Sequence, residues 1–487
     1  MIEVKQGIIA VIYLLGFFWS NPLFCQPGYP DPTFGEQGRT VFDVDNDFLY
    51  DIIIGRDGSI YTGGFAGSSS GAPGKVMVLS KLLANGQLDK SFGKNGIIAE
   101  SDYAKNTELA TLVTDKNDRI LIGVNQQNEA IISRLHKNGR PDSSFASQGS
   151  LSLPLERQII LTIHKLFITQ DQSIILTGLA KPDSYVLKLT PNGKIDSSFA
   201  EHGLYKLAVG EQSDYSYGLH VENNGKILIC GNSQISSRVW DVFVLRLNPG
   251  GHPDSTFGVN GLKKFGLTDG WNQGSQVVVL SGGEVLVCGS LEKNRINIPT
   301  LFLLTPQGAF VSSFGINGIL TFNQLLSSRF EDVEILSEKV IIAGGGRNLV
   351  SINQSGSLNV EFGKNGIAKQ EMDIYGLALD EQGKLLACGD IIRDLDRKFA
   401  VSRINTQSTT ALNHGNNLSG EIKIIPNPAF DQIRLGGKAD EQAEIEIINV
   451  TGLVVLKSSQ VEVNISHLSQ GIYFLRYQNR VKKFLKM

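Results

Sequence analysis

The sequence predicts an all-β protein: a seven-bladed β-propeller of four-stranded blades, closed by its own N-terminal strand and followed by a small C-terminal β-sandwich. Three observations carry this. A Phe-x-x-x-Gly motif recurs in phase along most of the chain. Each copy travels with a hairpin of β-rich runs around a short Gly/Asn/Asp turn. Glycine accounts for 53 of 487 residues, about 11% against a typical ~7%, an excess that many tight turns would use.

Composition bounds the function. Apolar residues make up 41% and charged residues 19%, so the chain can bury a core and is not disordered by composition. Lys plus Arg is 45 and Asp plus Glu is 48, a net charge of −3. That balance excludes a broadly basic nucleic-acid binder and an acidic solvating tail.

The chain opens with a targeting segment. Ile8 to Trp19 reads IIAVIYLLGFFW, without a charge and preceded by Lys5. Twelve residues at helical rise cover about 18 Å, too short for a ~30 Å hydrocarbon core. A signal-peptide core is expected, with the leader ending at residue 25. No later segment is apolar enough to span a membrane as a helix.

The motif copies are centred on Phe34, Phe92, Phe145, Phe199, Phe257, Phe314 and Phe362, at spacings of 58, 53, 54, 58, 57 and 48 residues. Five read as DPTFGEQG, DKSFGKNG, DSSFASQG, DSSFAEHG and DSTFGVNG; VSSFGING and NVEFGKNG drift. Asp and Ser/Thr at this spacing can fix a turn through nearby backbone groups, Phe can plug the space between blades, and Gly can take positive φ. Between motifs lie hairpins such as HVENNGKILICG and alternating strands such as FVLRLNPGG. Units of about 55 residues with four strands point to propeller blades. The first motif precedes any hairpin, and the last alternating strand, Phe399 to Asn405, has no motif after it. An N-terminal strand completing the last blade satisfies both and removes open sheet edges. The ring is expected over residues 29–405.

Cys230, Cys288 and Cys388 each precede a Gly in similar contexts. Repeat alignment puts Thr62, Ile122, Thr177 and Ala343 at the equivalent position. One register in packed sheets predicts buried free thiols rather than a disulfide framework or a metal site. Asp43 to Asp47, DVDND, has Phe48 and Ile54 where a calcium loop needs Gly and Glu. No metal and no cofactor are expected.

The repeat resembles the delta-60 repeat family, bacterial units with a D-x-S-F-G-x-x-G core. That resemblance implies a propeller-like fold and a secreted location, and it carries no activity. After a polar linker at 406–420, residues 421–487 form alternating strands separated by turns. Pro426-Asn427-Pro428, Asn449-Val450-Thr451-Gly452, Asn464 to Leu468, Gly471-Ile472-Tyr473 and the basic end around Lys483 make this segment similar to the C-terminal sorting domain of the type IX secretion system of Bacteroidota. The resemblance implies recognition by that secretion machinery, export across the outer membrane, and release or attachment at the cell surface. An adhesive Ig-like module is the alternative.

On the face where B–C and D–A loops meet, D–A segments pair an acid with an aromatic. The candidate ligand-binding residues are Asp47, Tyr103, Asp214, Tyr215, Asp269, Trp271, Asp373 and Tyr375. B–C loops are expected to be long in blades one, four, five and seven. Aromatics with carboxylates suit sugars or cationic groups; packing between blades is the competing explanation. The favoured function is a secreted or cell-surface binding protein for a glycan or protein ligand. The alternatives are an extracellular polysaccharide- or peptide-degrading enzyme and a structural matrix component. No nucleophile motif or distinctive carboxylate pair stands out, so an enzyme is the less favoured reading.

Overall fold

A computed structural model describes residues 26–44, 48–67, 74–99, 107–126, 129–153, 161–210, 212–326, 328–337, 340–393, 396–407, 423–425, 429–436, 445–449, 454–460, 462–477 and 480–486. The leader lies outside them. The chain divides into two compact units, residues 1–409 and 410–487.

The first unit is a β-propeller. Five sheets are four-stranded antiparallel meanders, beginning at Phe48, Thr107, Leu161, Asp214 and Gln273. Their first strands, Phe48–Ile54, Thr107–Thr114, Leu161–Ile168, Asp214–Val221 and Gln273–Val279, line the axis. Each touches the next; the series continues through Asp332–Ser337 and Ile367–Leu379, and the last returns to Phe48–Ile54. The ring is therefore closed. The N-terminal strand Arg39–Phe42 pairs with Asp396–Ile404, in register Arg39↔Ser402 to Phe42↔Phe399.

Among the described residues, seven separate four-stranded sheets do not form. The remaining strands make one six-stranded ladder. Ile367–Leu379 serves two partners: residues 367–369 and Ile374 pair with Val340–Ile352, and 373–379 pair with Leu385–Arg393. Elsewhere a turn-rich loop such as GLTDGWN separates these two strands; IAKQEMDIYGLAL has no such break, so the ladder runs on.

The Phe motif is the joint between sheets. All seven of its rings are at most 1% exposed. In the second sheet, Asp142 Oδ1 accepts from the Ser144 N–H and hydroxyl, and Oδ2 accepts from Arg134 Nε at 2.8 Å. Arg134 lies over the Phe145 ring at 4.8 Å and donates through Nη1 to the Pro191 carbonyl of the third sheet at 2.6 Å. Arg403 with Asp31 and Phe34, and Arg246 with Asp254 and Phe257, repeat the arrangement. Lys81 and Lys188 stand in for Arg opposite Asp89 and Asp196. Burial alone would raise the Asp142 carboxyl; the Ser144 donors and the Arg134 guanidinium outweigh it and hold it well below the usual carboxylate range. Where the Asp is lost at Val311, its basic partner is lost too, at Leu303. Gly193, at φ +76°, shows why the facing turn needs glycine: a Cβ there would lie 2.7 Å from the Phe145 ring.

Cys230, Cys288 and Cys388 are buried free thiols, and burial pushes each upward in pKa. The register moves their equivalents by one residue. Cys230 pairs with Gly218 and Cys388 with Gly376, just past a bulge; the matching pairs are Asp51↔Gly63, Thr111↔Gly123 and Asp332↔Gly344. Gly63, Gly123 and Gly344, not Thr62, Ile122 and Ala343, share the cysteine position, and Thr177 keeps it. Alignment on the first Gly caused the shift, because in these three strands that Gly itself occupies the cysteine position.

The second unit is a two-sheet sandwich. One sheet holds Lys423–Ile425, Gln432–Gly436 and Glu462–Asn464; the other holds Ile445–Asn449, Val454–Ser458, Gly471–Tyr477 and Arg480–Lys486. Its core includes Ile433, Ile447, Val463, Leu475 and Phe484.

Candidate functional site

Bulges near the start of the inner strands re-aim side chains. Tyr50, His164, Tyr217 and Tyr375 each occupy such a bulge. Two aromatic groups result.

The larger is a continuous run across the third, fourth and fifth sheets. His164 stacks on Tyr217 with centroids 5.5 Å apart, and Tyr217 stacks on Tyr215 at 6.3 Å and 7°. Tyr215 meets Trp240 at 5.5 Å, and Trp240 stacks on Trp271 at 4.7 Å and 21°. The Trp240 backbone N–H donates to the Gly270 carbonyl (3.0 Å), which fixes the Trp271 loop beside it. Trp271 is 43% exposed, whereas Trp240 is buried. Burial pushes the Tyr217 hydroxyl up to about 12 and lowers the His164 pKa, so His164 is neutral near pH 7.

Beneath this run the polar bookkeeping fails to close. Asn232 is fully buried, shares the sheet face of its register partner Tyr215, and has no partner for either amide atom among the described residues. The Trp240 indole N–H is likewise buried and unpartnered, as are Asp214 Oδ1 and Ser233 Oγ, register partners on the opposite face of the sheet, and Ser275 Oγ of the fifth sheet. Asn125 is at the same register position in the second sheet, and there both amide atoms are used: Nδ2 donates to the Ile163 carbonyl (2.9 Å) and Oδ1 accepts from its N–H (2.8 Å). Buried polar groups are normally paired with protein or ordered water, so the Asn232 amide and the Trp240 indole N–H stand out among the described residues.

The smaller group joins Phe48, Phe65, Tyr50 and Tyr375. Arg397 lies over Phe48 at 4.5 Å and donates to Asp390 Oδ2 at 2.6 Å. Asp390 is fully buried. Burial raises its carboxyl, Arg397 opposes this and Asp373 adds to it; the result is about 6. Burial, Asp390 and Asp373 together push Tyr375 up to about 12.

Of the sequence-predicted residues, Tyr215 and Trp271 converge in the run, and Tyr375 lies in the smaller group. Asp214 does not join its aromatic neighbour: it is buried, and its Oδ2 accepts from the Val209 and Gly210 N–H groups. Asp269 is exposed beside Trp271. Asp373 faces Arg347 at 3.5 Å. Asp47 and Tyr103 lie outside the described residues. Two expected long loops are strand extensions instead: Val285–Lys293 turns directly into Ile296–Leu304 through Asn294 and Arg295, both at positive φ, and Leu385–Arg393 pairs with Asp396–Ile404 to their ends. The sequence reading missed Trp240, Tyr217, His164 and Asn232. Trp240 opens the alternating strand WDVFVLRL, and its aromatic start was the available signal.

Among the described residues no cluster of three or more His, Cys, Asp or Glu side chains is placed to hold a metal ion. No described helix is long and apolar enough to cross a membrane. In the C-terminal unit, Gly471 opens a strand, and Tyr473 is a core residue that stacks on Phe484 at 5.8 Å and donates to the Ser469 carbonyl. Lys483 pairs with Phe474 through the backbone; Pro426, Asn427 and Pro428 lie outside the described residues.

Comparison with known proteins fits this division. Residues 423–487 match the secretion system C-terminal sorting domain. The chain therefore ends in a type IX sorting domain. The protein is exported by that route and is secreted or attached to the cell surface. Residues 170–199 and 222–257 match the family described as Domain of unknown function (DUF5122) beta-propeller. No curated protein matches the chain. Similar solved structures include YCF48 from Cyanidioschyzon merolae, 11% identical with a TM-score of 0.42, covering 75% of this chain and 98% of that one. Virginiamycin B lyase from Staphylococcus aureus is 11% identical, TM-score 0.38, over 75% and 98%. The beta-propeller domain of the Trilobed protease from Pyrococcus furiosus is 11% identical, TM-score 0.40, over 75% and 99%.

Proposed function

We propose that this exported propeller is a binding protein for extracellular carbohydrate, with the run Trp271–Trp240–Tyr215–Tyr217 as its platform. The observation that carries the reading is the coincidence of that run with the orphaned buried polar groups of Asn232 and Trp240. A sugar ring has an apolar face that stacks on indole and phenol, and hydroxyls that both donate and accept. The Asn232 amide and the Trp240 indole N–H, unpartnered but buried in this structure, supply the complementary bonds once the exposed Trp271 ring gives way to the sugar. A flat protein partner would use the exposed Trp271 but leave Asn232 unsatisfied. The sorting domain is read by the type IX machinery through the surface around Gly471 and Lys483, and the leader at 1–25 takes the chain to the periplasm first.

The test is a glycan array read with intrinsic fluorescence. The tryptophans are Trp19, Trp240 and Trp271, so once the leader is removed the emission comes from the platform. Saturable binding with a fluorescence change, abolished in Trp271→Ala, is the expected result. A second reading, turnover of a polymeric glycan, is favoured by Asp390, a buried carboxyl near 6 facing Asp373 across the sheet. Product release that disappears in Asp390→Asn would establish it.

A further inference from the structure

A second, chemically different site lies at the opposite end of the axis. There the inner strands leave a bowl of about 420 Å³. Most of its lining side chains are apolar, Ile54, Val113, Phe167 and Leu379 among them, with backbone polar groups exposed between them, and Glu334 is its one charged lining residue among the described residues. Charge within the axis does not balance. Lys165 is the ammonium there, 3.3 Å from Asp51 Oδ1, while Asp51 Oδ2 accepts from the Thr111 hydroxyl and the Leu112 N–H. Asp332 accepts from the Val333 and Leu377 N–H groups, both at 2.9 Å, and from Gln276 Nε2 at 3.5 Å. The Glu334 backbone pairs with Ile342 in the ladder, and its side chain makes no hydrogen bond or ion pair among the described residues.

We propose that this bowl binds a small organic ammonium ion, its apolar body against the collar and its charge on Glu334. A hard metal cation does not fit, because such ions need about six oxygen ligands and this wall offers little beyond Glu334 and the Thr114 side chain. A neutral apolar molecule would fill the bowl but leave a desolvated carboxylate or acid unpaired.

The groups facing Glu334 define its titration. Burial raises its pKa, Asp332 on its own strand adds to this, and Lys165 from the Leu161–Ile168 strand opposes; it is held at about 8. Asp51 acts through Lys165. His220 meets the rim residue Phe167 at 6.1 Å, and burial lowers its pKa, so it adds no charge near pH 7. Near neutral pH Glu334 is therefore mostly protonated, and an ammonium that takes its place at the carboxylate displaces that proton.

The experiment is calorimetry on the full chain with phenethylammonium, in two buffers of different ionisation enthalpy near pH 7, with 2-phenylethanol as the neutral isostere. The expected result is one saturable site, close to one proton released per ligand, and affinity at least about tenfold weaker for the alcohol and for Glu334→Gln. Glu334→Leu serves as a second variant, and Trp271→Ala is expected to bind phenethylammonium normally, which separates this site from the carbohydrate platform. Equal binding of the alcohol, unchanged binding in both Glu334 variants, or no saturation into the millimolar range would overturn the proposal.

Discussion

The motif corners and the loop-face ends of the same sheets are built to opposite specifications. At the corner around Phe145, every polar atom of Asp142, Ser144 and Arg134 that lies inside is paired. At the loop-face end of the fourth sheet, Asn232, Ser233, Asp214 and Trp240 carry buried atoms with no partner. The first pattern stabilises, because desolvated charges are neutralised by tight hydrogen bonds. The second costs stability and persists only where something else is gained. The contrast separates scaffold from site within a single sheet.

The largest effects are expected at the corner. Phe145→Ala should cost about 3–5 kcal/mol in denaturant unfolding, from lost burial and the cavity left behind. Arg134→Leu should cost about 2 kcal/mol, because it removes the charge-assisted bonds to Asp142 and to the Pro191 carbonyl while Arg119 still pairs Asp142 at 3.1 Å. Adding Asp142→Val should recover most of that loss, since Val311 and Leu303 occupy these positions in another repeat. A double variant as unstable as the single would show that the ion pair is more than a replaceable joint.

A sharper contrast comes from pH. Glu334 holds its proton to about 8 in the fold and to about 4.3 when unfolded. The folded state then binds more protons in that interval, so this group's contribution is fully present below about 4.3 and is lost as pH rises to about 8. Asp142 and Asp254, held low by their Ser/Thr and basic partners, work the other way and lose their contribution as pH falls below the unfolded value. Glu334→Gln should therefore melt above the wild type at pH 8 and match it at pH 4. The opposite ordering at pH 8 would refute the burial argument.

The smallest stability effect is expected at the platform. Trp271→Ala should change unfolding free energy by about 1 kcal/mol or less, since its ring is partly exposed and rests on one neighbour. Stability unchanged with binding lost is the signature of a site; a loss matching Phe145→Ala would make Trp271 a packing residue.

Much of the scaffold was readable. The Phe-x-x-x-Gly phase, the hairpins and the unpaired first motif led to a ring that the N-terminal strand closes. Arg134, Arg246 and Arg403 were visible in ISRLHKNG, VLRLNPGG and VSRIN, but their role needed the spatial pairing with Asp. Bulges left no mark in the sequence, and they brought Tyr50 against Tyr375 and His164 against Tyr217 from neighbouring inner strands. The Asp/aromatic pairs misled in half their content. Adjacent residues on a strand point to opposite faces, so Asp214 and Tyr215 cannot both face one ligand. Trp240 and Asn232 come from the neighbouring strands and join Tyr215 only across the sheet.

The most direct test of the account is equilibrium binding of the full chain to immobilised bacterial polysaccharides, wild type against Trp271→Ala and Asn232→Leu. The account predicts saturable binding by the wild type. It predicts loss in Trp271→Ala at unchanged melting temperature, and weaker binding by Asn232→Leu in a fold as stable as the wild type or more so. Undiminished binding by both variants would contradict it.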